Sequence, residues 1–64
     1  MKYVYVQVGS EWEDLVIYLN EDEAIQTSIT RPNSRIEIFE KPDDFNGYLP
    51  TYKYYKNGLL CSIN

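Results

Sequence analysis

A chain of 64 residues holds one small domain, and at that size only about 60% of the surface of the unfolded chain becomes buried, so its stability margin is thin. A content of 44% hydrophobic, 25% charged and 16% aromatic residues belongs to a folded globular domain and excludes a disordered tail or a collagen-like segment. Six Lys and Arg against ten Asp and Glu give a net charge of -4, the wrong sign for gathering phosphate backbones, so no direct nucleic-acid partner is expected.

No apolar run approaches the roughly 20 residues of a membrane-spanning helix, and Met1-Lys2 leads into alternating residues rather than a signal-peptide apolar stretch. The expectation is a chain with no membrane partner that is not secreted by a signal peptide. Cys61 stands alone and has no disulfide mate within the chain, which favours a reducing, intracellular setting.

In chain order, Lys2 to Val8 alternates with the period of a half-buried strand: Val4, Val6 and Val8 on one side, Tyr3, Tyr5 and Gln7 on the other. The valines are expected to face the core and the tyrosines to face out. Gly9-Ser10-Glu11 is turn chemistry, and Leu15 to Leu19 forms a second strand, most simply paired with the first as an antiparallel hairpin. Asn20 then caps a short helix, with Glu23 where a capping box places its carboxylate and three acids at the positive end of the helix dipole.

Ile25 with Ile29, and Ala24 with Ser28, supply that helix with a narrow buried stripe. Pro32 ends it near Thr30. Arg35 to Glu40 alternates as a third strand with Ile36 and Ile38 inward and Glu37 outward. The breakers between Lys41 and Pro50 make a long loop.

Asn57-Gly58 between Thr51-to-Lys56 and Leu59-to-Ile63 is a hairpin signal, because both central residues of a type I' turn need positive φ. A two-residue turn pairs Tyr55 with Leu60, Tyr54 with Cys61 and Tyr52 with Ile63. It sets Tyr55 and Leu60 together on a face read as outward, and Cys61 on the inward one. Residues 1–64 therefore read as a single α+β domain of order ββαβββ, one short helix on a mainly antiparallel sheet; if residues 15 to 40 form an ordinary crossover, strands two and three run parallel, and the strand order beyond that is open.

Tyr3-Val4-Tyr5-Val6, Trp12-Glu13-Asp14, Glu21-Asp22-Glu23-Ala24-Ile25, Arg35-Ile36-Glu37-Ile38-Phe39 and Pro50-Thr51-Tyr52 through Lys56-Asn57-Gly58-Leu59 together resemble small uncharacterised proteins of large eukaryotic DNA viruses of the nucleocytoplasmic type. The resemblance spans most of the chain and implies an architecture, a host-cytoplasm or virion location and no catalytic motif. Tyr54 to Leu59 also resembles half of a MORN-type hairpin repeat, but arrays of that type need several copies and the chain has one.

Histidine is absent, which removes the commonest general base and metal ligand and every Ser-His or Cys-His nucleophile. The carboxylate runs lack EF-hand spacing, and the three glycines stand in separate turns rather than in a phosphate cradle. No catalytic residue, cofactor or metal site is expected.

Residues 11 to 23 carry Glu11, Glu13, Asp14, Glu21, Asp22 and Glu23 and no base, whereas residues 51 to 64 carry Lys53 and Lys56 and no acid. Seven tyrosines are the other excess. Tyr3, Tyr5, Tyr55 and Leu60 are candidates for one aromatic docking patch, since tyrosine offers large contact area with few rotors and a polar tip. The competing explanation is that cross-strand aromatic pairs simply stabilise a small sheet.

Two functions follow as expectations. One is a non-enzymatic interaction or structural protein, a minor capsid or virion component, that docks its tyrosine-rich face on a capsid or other viral or host protein, with self-association into an oligomer left open. The other is an acidic inhibitor or modulator of a host or viral enzyme, with the six carboxylates mimicking nucleic acid for a basic partner.

Overall fold

The computed structural model describes residues 2–8 and 15–62. Its elements are β1 (Lys2–Gln7), β2 (Val16–Tyr18), α1 (Glu21–Thr30), β3 (Ile36–Lys41), β4 (Leu49–Lys56) and β5 (Leu59–Ser62). The strands form one sheet in the order β2-β1-β3-β4-β5, and every neighbouring pair is antiparallel. The expected α+β architecture of order ββαβββ is what the chain adopts. β2 and β3 do run parallel, since each is antiparallel to β1, but β1 lies between them, so the β2-α1-β3 connection strides over a strand rather than joining neighbours.

α1 begins where its cap chemistry dictates. Asn20 is extended (φ -115, ψ 125), and its side-chain oxygen accepts from the N–H groups of Asp22 (2.8 Å) and Glu23 (3.2 Å), satisfying two donors that have no partner in the helix. At the other end the Arg31 N–H donates to Thr27 O before Pro32 forbids a further turn. Ala24 and Ser28, one turn apart, are fully buried and bring α1 close to the sheet. Ile29 departs from the expected stripe: it is 48% exposed and leans on the Gly58 backbone, while Ile25 packs partly against the core.

The core comprises Tyr5, Ala24, Ile36, Ile38 and Tyr55, with Tyr18 and Ile25 packed against it. Ile36 and Ile38 are inward as expected, but the expectation for β1 is reversed. Tyr5 and Gln7 are buried at 8% and 7%, and Val8 is 45% exposed. The reason is volume and polarity together. A helix whose fully buried residues are the small Ala24 and Ser28 needs large partners on the sheet, and tyrosine rings fill that space where valine would leave voids.

Two phenols on this face have defined partners. Tyr18 Oη donates to Gln7 Oε1 at 3.0 Å, and Tyr55 Oη donates to Glu21 Oε2 at 2.7 Å. Alternation then places Val4 and Val6 on the opposite face, together with Phe39 and Tyr54, all of them half-buried.

The last hairpin has the expected register, Lys53 with Ser62, Tyr54 with Cys61, Tyr55 with Leu60 and Lys56 with Leu59, and both turn residues take positive φ, Asn57 at 52 and Gly58 at 77. The expected Tyr52–Ile63 pair lies outside the described residues, as does the Gly9-Ser10-Glu11 turn. Its faces are again the reverse of the expectation. Tyr55 lies under α1, 8% exposed, and Cys61 is half-buried on the other side.

A feature that alternation does not foresee interrupts β4. Its register against β3 shifts between Ile38, opposite Lys53, and Phe39, opposite Pro50, with Tyr52 at φ 63 inside the bulge. Thr51 latches it: its hydroxyl donates to Ile38 O (2.9 Å) and accepts from the Lys53 N–H (3.2 Å).

Candidate functional site

α1 is short and crosses only part of its face of the sheet. Beside its N-terminal end, over β1, β3, β4 and β5, lies a hollow of about 610 Å³ open to solvent. Its deep part is made by Tyr5, Ile38 and Tyr55, whose burial sets the two rings 6.4 Å apart and tilted by 39°. Its mouth is formed by Tyr3, 45% exposed, and Leu60, 57% exposed, on the flanking strands. The bulge brings Pro50 and Thr51 to one wall.

The four residues nominated from the sequence as a docking patch thus line one cavity. The sheet face on which they lie is the one that α1 covers. Tyr5 and Tyr55 are a correction to the expected outward placement, because their rings belong to the core. Tyr3 and Leu60 are the accessible members.

The charged groups of the hollow are Glu21 at the first turn of α1, Glu40 opposite Tyr3 on β3, and Lys53 on β4. Glu21 is fixed by the hydrogen bond from Tyr55. Burial, that hydrogen bond and the negative charge of Glu21 push the Tyr55 phenol up to about 12, and burial with the charge of Glu21 raises Tyr5 as well. Both hydroxyls therefore stay protonated through the physiological range.

Glu40 and Lys53 are not among the nominated residues, although the β3 alternation, which puts Glu40 two and four residues from Ile38 and Ile36, assigns Glu40 to the core-facing side and the hairpin register puts Lys53 on the face of Tyr55 and Leu60. The acidic candidates divide. Glu21, Asp22 and Glu23 are exposed at the start of α1, and only Glu21 joins the hollow. Glu11, Glu13 and Asp14 lie outside the described residues.

On the opposite face Arg35 stacks over the Tyr54 ring, 4.9 Å from its centroid, and pairs with Glu37. That ion pair is the partner of Glu37 Oε2, which is sealed from solvent and receives no aligned hydrogen bond. Among the described residues, no group of three or more His, Cys, Asp or Glu is placed to hold a metal ion, and no helix is long and apolar enough to cross a membrane. Comparison of the chain with family models, with curated proteins and with solved structures returns no match in any of the three.

Proposed function

We propose that this chain is a small non-enzymatic interaction protein that docks on a larger protein through the tyrosine-lined hollow, and that it serves, in the viral setting its sequence resembles, as a minor capsid or virion component. One observation carries the reading. Tyr3, Tyr5, Tyr55 and Leu60, chosen for their interface chemistry, converge on a single cavity whose rim is exposed and whose deep rings are held rigid by the core. A concave site with a rigid aromatic base and an exposed apolar rim is the form that an anchoring side chain of a partner fills.

The test is quantitative mass spectrometry of purified particles from the source, counting this chain against the major structural protein. It is followed by the same count with Tyr3→Ala and Leu60→Ala combined. Both side chains are exposed, so the double variant keeps its fold by circular dichroism while its copy number falls. A chain absent from particles, or a double variant incorporated normally, sinks the proposal.

The second reading, an acidic modulator of a host or viral enzyme, is favoured by the exposed carboxylates of Glu21, Asp22 and Glu23 at the helix start. It predicts salt-sensitive binding to a basic partner that charge reversal at Glu13 and Asp14 weakens.

A further inference from the structure

The charges around the hollow narrow what enters it. Its walls carry two carboxylates, Glu21 and Glu40, against one ammonium, Lys53, in a chain whose net charge is -4. The rings of Tyr3, Tyr5 and Tyr55 line the same hollow. The Tyr55 proton is committed to Glu21, so the phenol oxygen presents lone pairs, not a donor, to anything that enters. Among the described residues no side chain donates a hydrogen bond to the Glu40 carboxylate, whose backbone belongs to the β1–β3–β4 ladder.

We infer that the occupant of this hollow is a cationic side chain, a guanidinium foremost, carried on a basic segment of the partner protein. This rests on the docking reading and names the chemistry of the partner at that same site.

Three arguments converge on a cation. An apolar anchor seated here would strip water from Glu21 and Glu40 and give nothing back, and an uncompensated buried carboxylate costs more than the anchor's burial returns. An anion would meet two like charges. A guanidinium satisfies both requirements, because its planar face stacks on tyrosine rings and its edge donates to carboxylate and phenol oxygens, while its stem is covered by apolar groups such as Leu60 and Ile38. The volume of about 610 Å³ accommodates the side chain and part of the backbone that carries it.

The experiment titrates the full chain, isotopically labelled, with three blocked pentapeptides followed by nuclear magnetic resonance: Gly-Arg-Gly-Arg-Gly, the same peptide with citrulline for arginine, and Gly-Leu-Gly-Leu-Gly. The expected result is concentration-dependent shifts of the Tyr3, Tyr5, Tyr55 and Lys53 resonances with the arginine peptide alone, diminished by added salt. Glu21→Gln, which retains an acceptor for Tyr55, combined with Glu40→Gln should weaken binding about tenfold, and Lys53→Gln should tighten it.

Equal binding of the citrulline or leucine peptide at the same residues overturns the cation assignment and leaves docking through the hollow standing. Absence of shifts with all three peptides overturns it too, and docking is then judged separately by the particle incorporation of the Tyr3→Ala, Leu60→Ala variant. An arginine-peptide response unchanged in the Gln variants also overturns it, because the carboxylates would have no part in it.

Discussion

The two faces of this sheet are built from the same strands and nearly the same residue types, yet only one of them is the core. On the helix side Tyr5, Ile36, Ile38 and Tyr55 are buried, and the Tyr55 phenol is answered by Glu21 on the helix. On the other side Val4, Val6, Phe39 and Tyr54 are half-buried, and among the described residues no helix lies over them, while Arg35 stacks on Tyr54. Hydropathy alone would choose the valines for the interior. The helix chooses instead, because its small contact residues call for rings opposite them and its first turn supplies a carboxylate that lets a tyrosine be buried without an orphaned hydroxyl.

The sharpest way to break this comparison is to truncate one tyrosine on each face. Tyr54 and Tyr55 are neighbours in β4 with opposite surroundings. Tyr55→Ala empties the core and removes the bond to Glu21, and should cost about 3–5 kcal/mol, enough to leave a domain of this size largely unfolded. Tyr54→Ala removes a half-buried ring and one cation–π contact and should cost about 1–2 kcal/mol. Urea unfolding of both variants measures the difference, and equal losses would mean that the two faces are equally covered.

Next in size is the bond that ties the helix to the last hairpin. Ser28 is fully buried, and its hydroxyl donates to Ile25 O (2.7 Å) and accepts from the Gly58 N–H (2.9 Å). Ser28→Ala strands that N–H at the helix–turn contact and should cost about 1–3 kcal/mol in the same urea assay. Gly58→Ala attacks the junction from the other side. It forces a Cβ onto a backbone at φ 77 and to within 3.0 Å of Ile29 Cγ1, for a loss of about 1–2 kcal/mol. Restoring room with Ile29→Ala in the Gly58→Ala background recovers only the steric part.

The element pattern was readable because each boundary has a local cause: Asn20 and Pro32 for the helix, Asn57-Gly58 for the hairpin, period two for the strands. The hairpin register followed from its turn, and the convergence of Tyr3, Tyr5, Tyr55 and Leu60 followed from register. What could not be read was which face the helix crosses. Period two in β1 offers two apolar stripes, Val4-Val6-Val8 and Tyr3-Tyr5, and the choice depends on α1, a non-local element. The β4 bulge was equally hidden, because its latch is a bond between Thr51 and Ile38 across strands, and with it went Pro50 and Thr51 as a wall of the hollow. Glu40 was accessible to the alternation argument and shows that a charge at the end of an inward stripe marks the rim of a cavity rather than an error in the strand assignment.

A smaller effect separates the faces by pH. Tyr55 titrates at about 12 in the fold against the ordinary 10.0, raised by burial and by its bond to Glu21, and Tyr5 is raised in the same direction. A raised folded value means that the contribution to stability is whole below pH 10 and is lost as pH climbs towards about 12, where the folded state is obliged to hold charged phenolates beside a carboxylate. Melting temperature should therefore fall across that window. Tyr55→Phe should cost about 1 kcal/mol at neutral pH and make the alkaline decline shallower, with Tyr5 left to supply the remainder. A decline of unchanged steepness would detach it from the Tyr55–Glu21 pair.

The smallest expected change tests whether the second face is open. Ile17 pairs with Val6 on that side and is 56% exposed. If nothing covers it in the free domain, Ile17→Thr exchanges an exposed β-branched side chain for another of equal strand propensity and should alter stability by less than about 0.5 kcal/mol. The paired measurement is Ile38→Thr on the helix side, where the hydroxyl enters the core and the loss should exceed about 2 kcal/mol. A large loss at Ile17 as well would show that its side chain packs in a covered layer, and the contrast between the faces would then lie in which element covers each rather than in whether one is covered.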